Sequence, residues 1–261
     1  MDYQTLLVNI DSGIAYVTLH RPDKRNAMNN HMIEELGHVF TNCQNDQGTR
    51  VIVLTGTGNT FCAGADLHDM QSATQSPDYA KQMGLQLGKM LQCINQCSRP
   101  VIAMVNGPAM GGGMGLVCVA DIVLASSQVN FSFPEVHLGL VPAVISPFVI
   151  QRIGAIQTRR FFLTGEPFSA KAALMLGLVT EVSAPEQLNE VCQTYARHLL
   201  AGGPQALAEC KRLIHYVTAN GIEKNLKYTP EIFVKMLDSV EAKEGIQAFH
   251  EKRSPNWYKN S

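Results

Sequence analysis

Charge is scarce in this 261-residue chain: Asp, Glu, Lys and Arg make up 16% of it, and the formal net charge is −1. The basic residues are scattered, with no stripe or block among them. Such a field draws in neither nucleic acid nor an anionic membrane, so neither is expected as a partner. No apolar run approaches the roughly 20 residues that a bilayer span needs. The opening Met1-Asp2-Tyr3-Gln4 has neither the basic start nor the apolar stretch of a leader, so a cytoplasmic protein is expected. Cysteine framework spacing is also missing: the seven cysteines are an odd number at irregular intervals, which suits reduced thiols inside a cell. Cys93 and Cys97 could share a helix face, but zinc would want a second pair, so they are read as small core residues. The eight histidines are dispersed and no H-E-x-x-H spacing occurs, so no metal is expected.

Apolar residues are plentiful, at 46% of the chain, enough for a sizeable core. Leu6–Ile10 and Ile14–Leu19 read as strands about a turn at Asp11-Ser12-Gly13. Asn29 can cap a helix through Met32, Leu36, Val39 and Phe40, whose spacing is helical. Buried strands of continuous apolar character follow at Val51–Thr55, Val101–Val105 and Asp121–Ala125, with a helix over Ala80–Cys97 between the first two. Beyond about residue 145 the pattern is mostly helical: Ile145–Ile153, Thr158–Leu163, Ala170–Leu176, Glu186–Leu200, Ala206–Ala219 and Pro230–His250. An α/β core carrying a helical appendage is predicted, with the core at 1–195, the appendage at 196–261 and a hinge at Gly202-Gly203. Met83, Met90 and Met110 are read as core packing.

One element stands out. Three glycines, Gly111-Gly112-Gly113, lie between the strand Val101–Val105 and an apolar helix. Bare backbone at a helix N-terminus offers unpaired N–H groups and the positive end of the dipole, which suit a phosphate or an oxyanion. A phosphate-binding loop would end in Gly-Lys-Ser/Thr, whereas Met114 follows Gly113. A dinucleotide fingerprint would need glycine at the sixth place, where Leu116 stands, although Glu135 does fall about twenty residues on. Close packing of helix on strand is the plain structural alternative.

The company this element keeps points further. Arg21-Pro22-Asp23-Lys24-Arg25-Asn26-Ala27, Phe61-Cys62-Ala63-Gly64-Ala65-Asp66-Leu67, Asn106-Gly107 through Gly113, and Phe133-Pro134-Glu135-Val136 with Leu138-Gly139-Leu140 occur in order. Leu163-Thr164-Gly165 and Glu244-Gly245 through Arg253 complete the series. Together they resemble the crotonase (enoyl-CoA hydratase/isomerase) superfamily over nearly the whole chain. The resemblance implies a ClpP-like spiral of ββα units and C-terminal helices that assemble a homotrimer or a dimer of trimers. It implies an acyl-CoA substrate with no separate cofactor, and an oxyanion hole made by the backbone N–H groups of Ala65 and Gly112. It places CoA against Lys24, Arg25, Ala27, Ala63, Gly64, Asp66, Leu67, Gly111 and Pro134, and against Phe233, Phe249 and Lys252 of a neighbouring subunit. For the basic residues, solvated surface charge is the alternative; for the two phenylalanines, it is core packing.

Glu135, at an apolar strand edge, is the expected proton-transfer residue, since burial would raise its pKa toward a useful range. Hydratases of the family usually carry a second glutamate early in the glycine-led helix, and that position here is Gly115, a vacated acid/base position. Three accounts are open: hydration with Glu135 alone, isomerisation of the double bond by Glu135, or a stand-in among His68, Asp69 and His137. The missing glutamate, Val141–Ile150 and the ending through Trp257 resemble bacterial methylglutaconyl-CoA hydratases. Hydration of an enoyl-CoA, with 3-methylglutaconyl-CoA as a candidate, is therefore expected ahead of isomerisation. A dinucleotide oxidoreductase and a non-catalytic CoA- or RNA-binding relative are the alternatives from other classes.

Overall fold

The computed structural model describes residues 3–258. β1 (Leu6–Asp11) and β2 (Ile14–Leu19) form an antiparallel hairpin, turned at Ser12 and Gly13, both at positive φ. α1 (Asn30–Asn45) starts where the Asn29 side chain accepts the Met32 N–H, and it buries Met32, Leu36, Val39 and Phe40. β3 (Val51–Gly56) pairs parallel with β2. α2 (Leu67–Thr74) follows, capped by Asp66, and then α3 (Pro77–Asn95), capped by Ser76. Next come β4 (Val101–Val105), the two-residue β5 (Ala109–Met110) and α4 (Gly112–Val119). β6 (Ile122–Ser126) and β7 (Asn130–Ser132) precede a 3-10 turn at Pro134–Leu138. α5 (Ser146–Thr164), β8 (Phe168–Ser169), α6 (Ala170–Met175) and β9 (Glu181–Ser183) lead to α7 (Leu188–Ala201). The chain closes with α8 (Pro204–Ala219), α9 (Ile222–Leu237) and α10 (Val240–His250).

The strands form two stacked layers. The main sheet runs β1-β2-β3-β4-β6-β9 and is parallel after the first hairpin; the smaller sheet runs β5-β7-β8. Each late turn of the chain lays one strand in the main sheet, steps to the small one, and crosses back through a helix. Bridges Met28↔Ala65 and Cys62↔Ala109 extend this second layer toward the N-terminus, so backbone from successive turns stacks in register. This is the spiral of repeated strand and helix units that the resemblance implies.

Alternation along β3 explains why the main sheet is apolar throughout. Ile52 and Leu54 face the large core with α1, α3 and α4, while Val51 and Val53 face Leu188, Cys192 and Ala196 of α7. With both faces covered, neither strand face can be polar. α7 therefore belongs to the core, and the predicted boundary at 195/196 is corrected: it falls inside this helix, and the change of layer comes after Ala201.

Two other expectations are revised. α2 went unread because its eight residues bury none of their side chains and leave no apolar stripe. The two helices expected over 145–163 are both present within α5, meeting at Gly154, whose φ of 74° and ψ of 161° are not helical. The predicted helix Pro230–His250 is two helices separated at Asp238-Ser239, and Pro230 lies inside α9 rather than at its start. Among the described residues no helix is long and apolar enough to cross a membrane.

A carboxylate ties the N-terminal segment to α1. Glu35 is 6% exposed and accepts hydrogen bonds from Gln4 N (2.7 Å), Thr5 N (2.9 Å) and the Thr5 hydroxyl, with His31 Nε2 at 3.1 Å. Burial alone would raise its pKa, but these donors outweigh it and hold the pKa below 4.5. The stabilisation is present above the unfolded carboxylate pKa of about 4.3 and fades as pH falls through the lower folded value. Glu35→Gln, which turns an amide N–H toward these donors, is expected to cost about 1–3 kcal/mol at neutral pH. Chemical denaturation should also show a smaller loss of stability between neutral and acid pH in the variant.

Candidate active site

At the C-terminal ends of β3 and β4 the second layer presents two amides side by side. Met28 donates to the Gly64 carbonyl (2.7 Å) and accepts from Asp66 N (2.9 Å). That parallel bridge uses the groups on either side of Ala65 and turns the Ala65 N–H to the opposite side. Gly64, at φ 99°, passes so close to α4 that a Cβ there would lie 3.0 Å from Met110 O and 3.5 Å from Gly112 N. Gly112 N is the first amide of α4, for which the helix contains no acceptor. A Cβ on Gly112 would sit 3.7 Å from Ala65 N, so the two amides are neighbours, and neither has an acceptor among the described residues. Gly111 makes the corner at φ 49° and ψ −120°, and its N–H is held by Ser132 O at 3.1 Å. At Gly113 a Cβ would strike Cys62 O at 2.5 Å, which is why α4 must begin in glycine to seat this deeply.

Glu135 arrives from the next turn of the spiral. A Cβ on Gly111 would lie 3.0 Å from its Oε1, which places the carboxyl over the Gly111-Gly112 corner. Its Oε2 is buried without a hydrogen-bond partner. Burial raises its pKa above 4.5, and a bond from its own backbone N–H offsets only part of the rise. The amides and this carboxyl open onto a cavity of about 290 Å³ walled by apolar groups such as Met28, Ile33, Met70, Met83, Leu87 and Val144. Its ionisable lining side chains are Glu135 and Asp69. Met83 thus lines the cavity rather than packing the core, whereas Met90 is core at 3% exposure.

Position 115 is not a vacancy. A Cβ on Gly115 would meet Ile145 Cγ2 at 2.7 Å and Leu91 Cδ1 at 3.0 Å, so apolar side chains occupy the space where a second carboxylate was expected to have been. Among the stand-ins, His68 is largely exposed and His137 Nε2 donates to Thr164 O at 2.9 Å. Only Asp69 faces the cavity, with one oxygen accepting Asn30 N at 2.9 Å.

Ala63, Gly64, Leu67, Gly111 and Pro134 all line the cavity. Asp66 does not: its carboxylate caps α2 through His68 N and pairs with Arg21 at 2.8 Å. Its pKa is low because the bonds from His68 N and Arg21 outweigh the opposing effect of burial. Lys24, Arg25 and Ala27 lie on the neighbouring turn, which is tied to the site by Ala63 N donating to Arg25 O at 3.0 Å. Phe233 on α9 and Phe249 on α10 are 66% and 82% exposed, which removes core packing within this chain as their explanation. Lys252 follows α10 at φ 54°. Ile33, Leu87, Val144 and Ile145 also line the cavity and were missed, since an apolar residue carries no mark of facing a cavity rather than the core. Among the described residues no cluster of His, Cys, Asp and Glu could hold a metal.

The model of the enoyl-CoA hydratase/isomerase family matches residues 9–260. The chain belongs to that family. It is similar to the short-chain-enoyl-CoA hydratase of Clostridium acetobutylicum, with 29% identity over 262 residues and full coverage of both chains. It is 30% identical to the 2,3-dehydroadipyl-CoA hydratase of Escherichia coli, covering 97% of this chain and 98% of that one. Among solved structures, an enoyl-CoA hydratase/isomerase from Marinobacter aquaeolei superposes with a TM-score of 0.93 at 37% identity, covering 97% of this chain and 98% of that chain. As a member of the hydratase/isomerase family the protein is an enzyme.

Within this family member, Gly115→Glu is expected to lower the melting temperature, because forcing a side chain into Ile145 and Leu91 costs about 1–3 kcal/mol or more. It should bring no gain in hydration of crotonyl-CoA. Thermal unfolding and a thioester absorbance assay check both.

Proposed function

We propose that the protein is a hydro-lyase that adds water across the 2,3 double bond of an enoyl-CoA, with Glu135 as its one proton-transfer group. The observation that carries this is the pairing of two acceptor-free amides with a single half-buried carboxyl whose Oε2 has no hydrogen-bond partner. The thioester oxygen accepts from Ala65 N and Gly112 N. Glu135, as carboxylate, takes a proton from water as the oxygen of that water bonds to Cβ. The π electrons move to the thioester oxygen, where one well-placed donor is worth roughly 2.7–4 kcal/mol. Glu135 then returns the proton to Cα and the enolate collapses to the 3-hydroxyacyl thioester. All atoms of the water end in the product.

For the acyl group we favour a branched or carboxylated chain, with 3-methylglutaconyl-CoA as the first substrate to assay. An apolar wall stands at position 115, so a carboxylate on the acyl chain would supply a second acceptor for the attacking water. The E. coli relative's name records a carboxylated acyl substrate within the family. The lone carboxyl also suits a second reading, transfer of a proton from Cα to Cγ in an enoyl-CoA isomerase. Uptake of 18O from labelled water into the product separates the two, since isomerisation takes up none. CoA is proposed to lie along Lys24, Arg25, Ala27, Ala63 and Leu67, beside Asp66.

Glu135→Gln should lower kcat by about 10²–10⁴-fold with affinity for a CoA product nearly kept. Hydration needs the carboxylate, so activity should fall as pH drops through a Glu135 pKa lying above the ordinary 4.5. Steady-state pH profiles of the wild type should show that acid limb. Exposed Ile222, Phe233, Val240 and Phe249 on the C-terminal helices make an apolar surface suited to a neighbouring copy. A homotrimer, or a dimer of trimers, is the proposed assembly, and light scattering should return a mass of three or six chains.

A further inference from the structure

Among the described residues the carboxyl of Glu135 is bonded by its own backbone N–H and by no other residue, and its Oε2 is buried without a partner. Its position is therefore set by the backbone turn that carries it. We infer that His137 is a positioning residue for Glu135, mounting the Pro134–Leu138 turn on the C-terminal end of α5. This rests on the assignment of proton transfer to Glu135.

Two anchors bracket the carboxylate. On the near side, the ring of Phe133 meets Phe162 of α5 edge-on, with centroids 5.0 Å apart. On the far side, His137 Nε2 donates to Thr164 O at 2.9 Å. Thr164 is the last residue of α5, and its carbonyl is among those a helix leaves without an internal partner. An N–H donor suits that negative end of the dipole. The imidazole then rests on Gly165, the C-cap at φ 64°, where a Cβ would come within 2.7 Å of His137 Cε1. Residues 133 and 137 thus stand two positions before and two after Glu135, and both are fastened to the same final turns of one helix. The Leu163-Thr164-Gly165 segment acquires a purpose: a free carbonyl followed by a bare backbone, to receive a ring from the catalytic turn. His137 is itself exposed and absent from the cavity lining, so it acts only through the placement of Glu135.

Displacement of a reacting group by about 1 Å costs on the order of 100-fold in rate. His137→Leu in the full chain is expected to lower kcat by about ten- to a hundredfold on a substrate the wild type turns over. KM and melting temperature should stay near wild type. His137→Gln, which places an N–H at similar reach, should regain most of the loss. A His137→Leu enzyme with wild-type kcat would overturn the inference. So would a loss of kcat matched by a rise in KM or a fall in melting temperature, or a glutamine variant that recovers nothing. Glu135→Gln in the same assay separates the two levels. Full activity there defeats the role of Glu135 itself, whereas an inactive Glu135→Gln beside an unimpaired His137→Leu defeats only the mounting.

Discussion

Everything in the site depends on how closely the chain at Gly64 approaches the first turn of α4. That approach, with room for no Cβ at Gly64 or Gly113, brings the amides of Ala65 and Gly112 together and leaves both without acceptors. An unsatisfied buried N–H costs about 1–3 kcal/mol, so two in contact would not persist in a loose loop. The stacked second layer holds them there: Met28 grips the backbone on either side of Ala65, and Ser132 takes the amide of Gly111. The donors face a cavity, and in the proposed reaction they receive the thioester oxygen as it becomes anionic. Their value lies in being in place before charge develops, since no reorganisation is then needed.

A second constraint concerns Glu135. Its carboxyl is raised in pKa by burial in an apolar wall, with no cation in the cavity lining to hold it ionised. A carboxyl whose pKa is raised is a stronger base when ionised than a solvated glutamate, and in the proposed reaction it takes a proton and then returns it. The same wall fills position 115 with Ile145 and Leu91. In the proposed reaction one carboxyl therefore serves both ends of the double bond, and the acyl group's own chemistry determines how well water is placed.

The two halves of the site come from different turns of the spiral, and each is referred to a rigid helix. The amides are referred to the N-terminus of α4 and the carboxylate to the C-terminus of α5. α4 and α5 pack on one another, so donor and acid keep their spacing without any direct bond between them. That arrangement leaves its own backbone N–H as the one group that lowers the carboxyl's pKa, and burial outweighs it.

Strands such as Val51–Gly56 and Val101–Val105 were legible because a sheet covered on both faces must be apolar at every position, and the α1 cap at Asn29 because it satisfies a local amide. The motif at Gly111–Gly113 disclosed bare backbone at a helix start, and Glu135 an acidic residue at an apolar edge, since both are properties of a few adjacent residues. By itself the sequence determined five strands of the main sheet, the family resemblance and the chemical types at the site, while the short strands of the second layer carry too few residues to show a pattern. Local pattern could not show that Gly115 is walled in, that α7 belongs to the core, or that Met83 faces a cavity while Met90 does not. Nor could it show His137 against Thr164. Those facts are contacts between residues far apart in the chain, and only the tertiary packing decides which side chain takes a given volume.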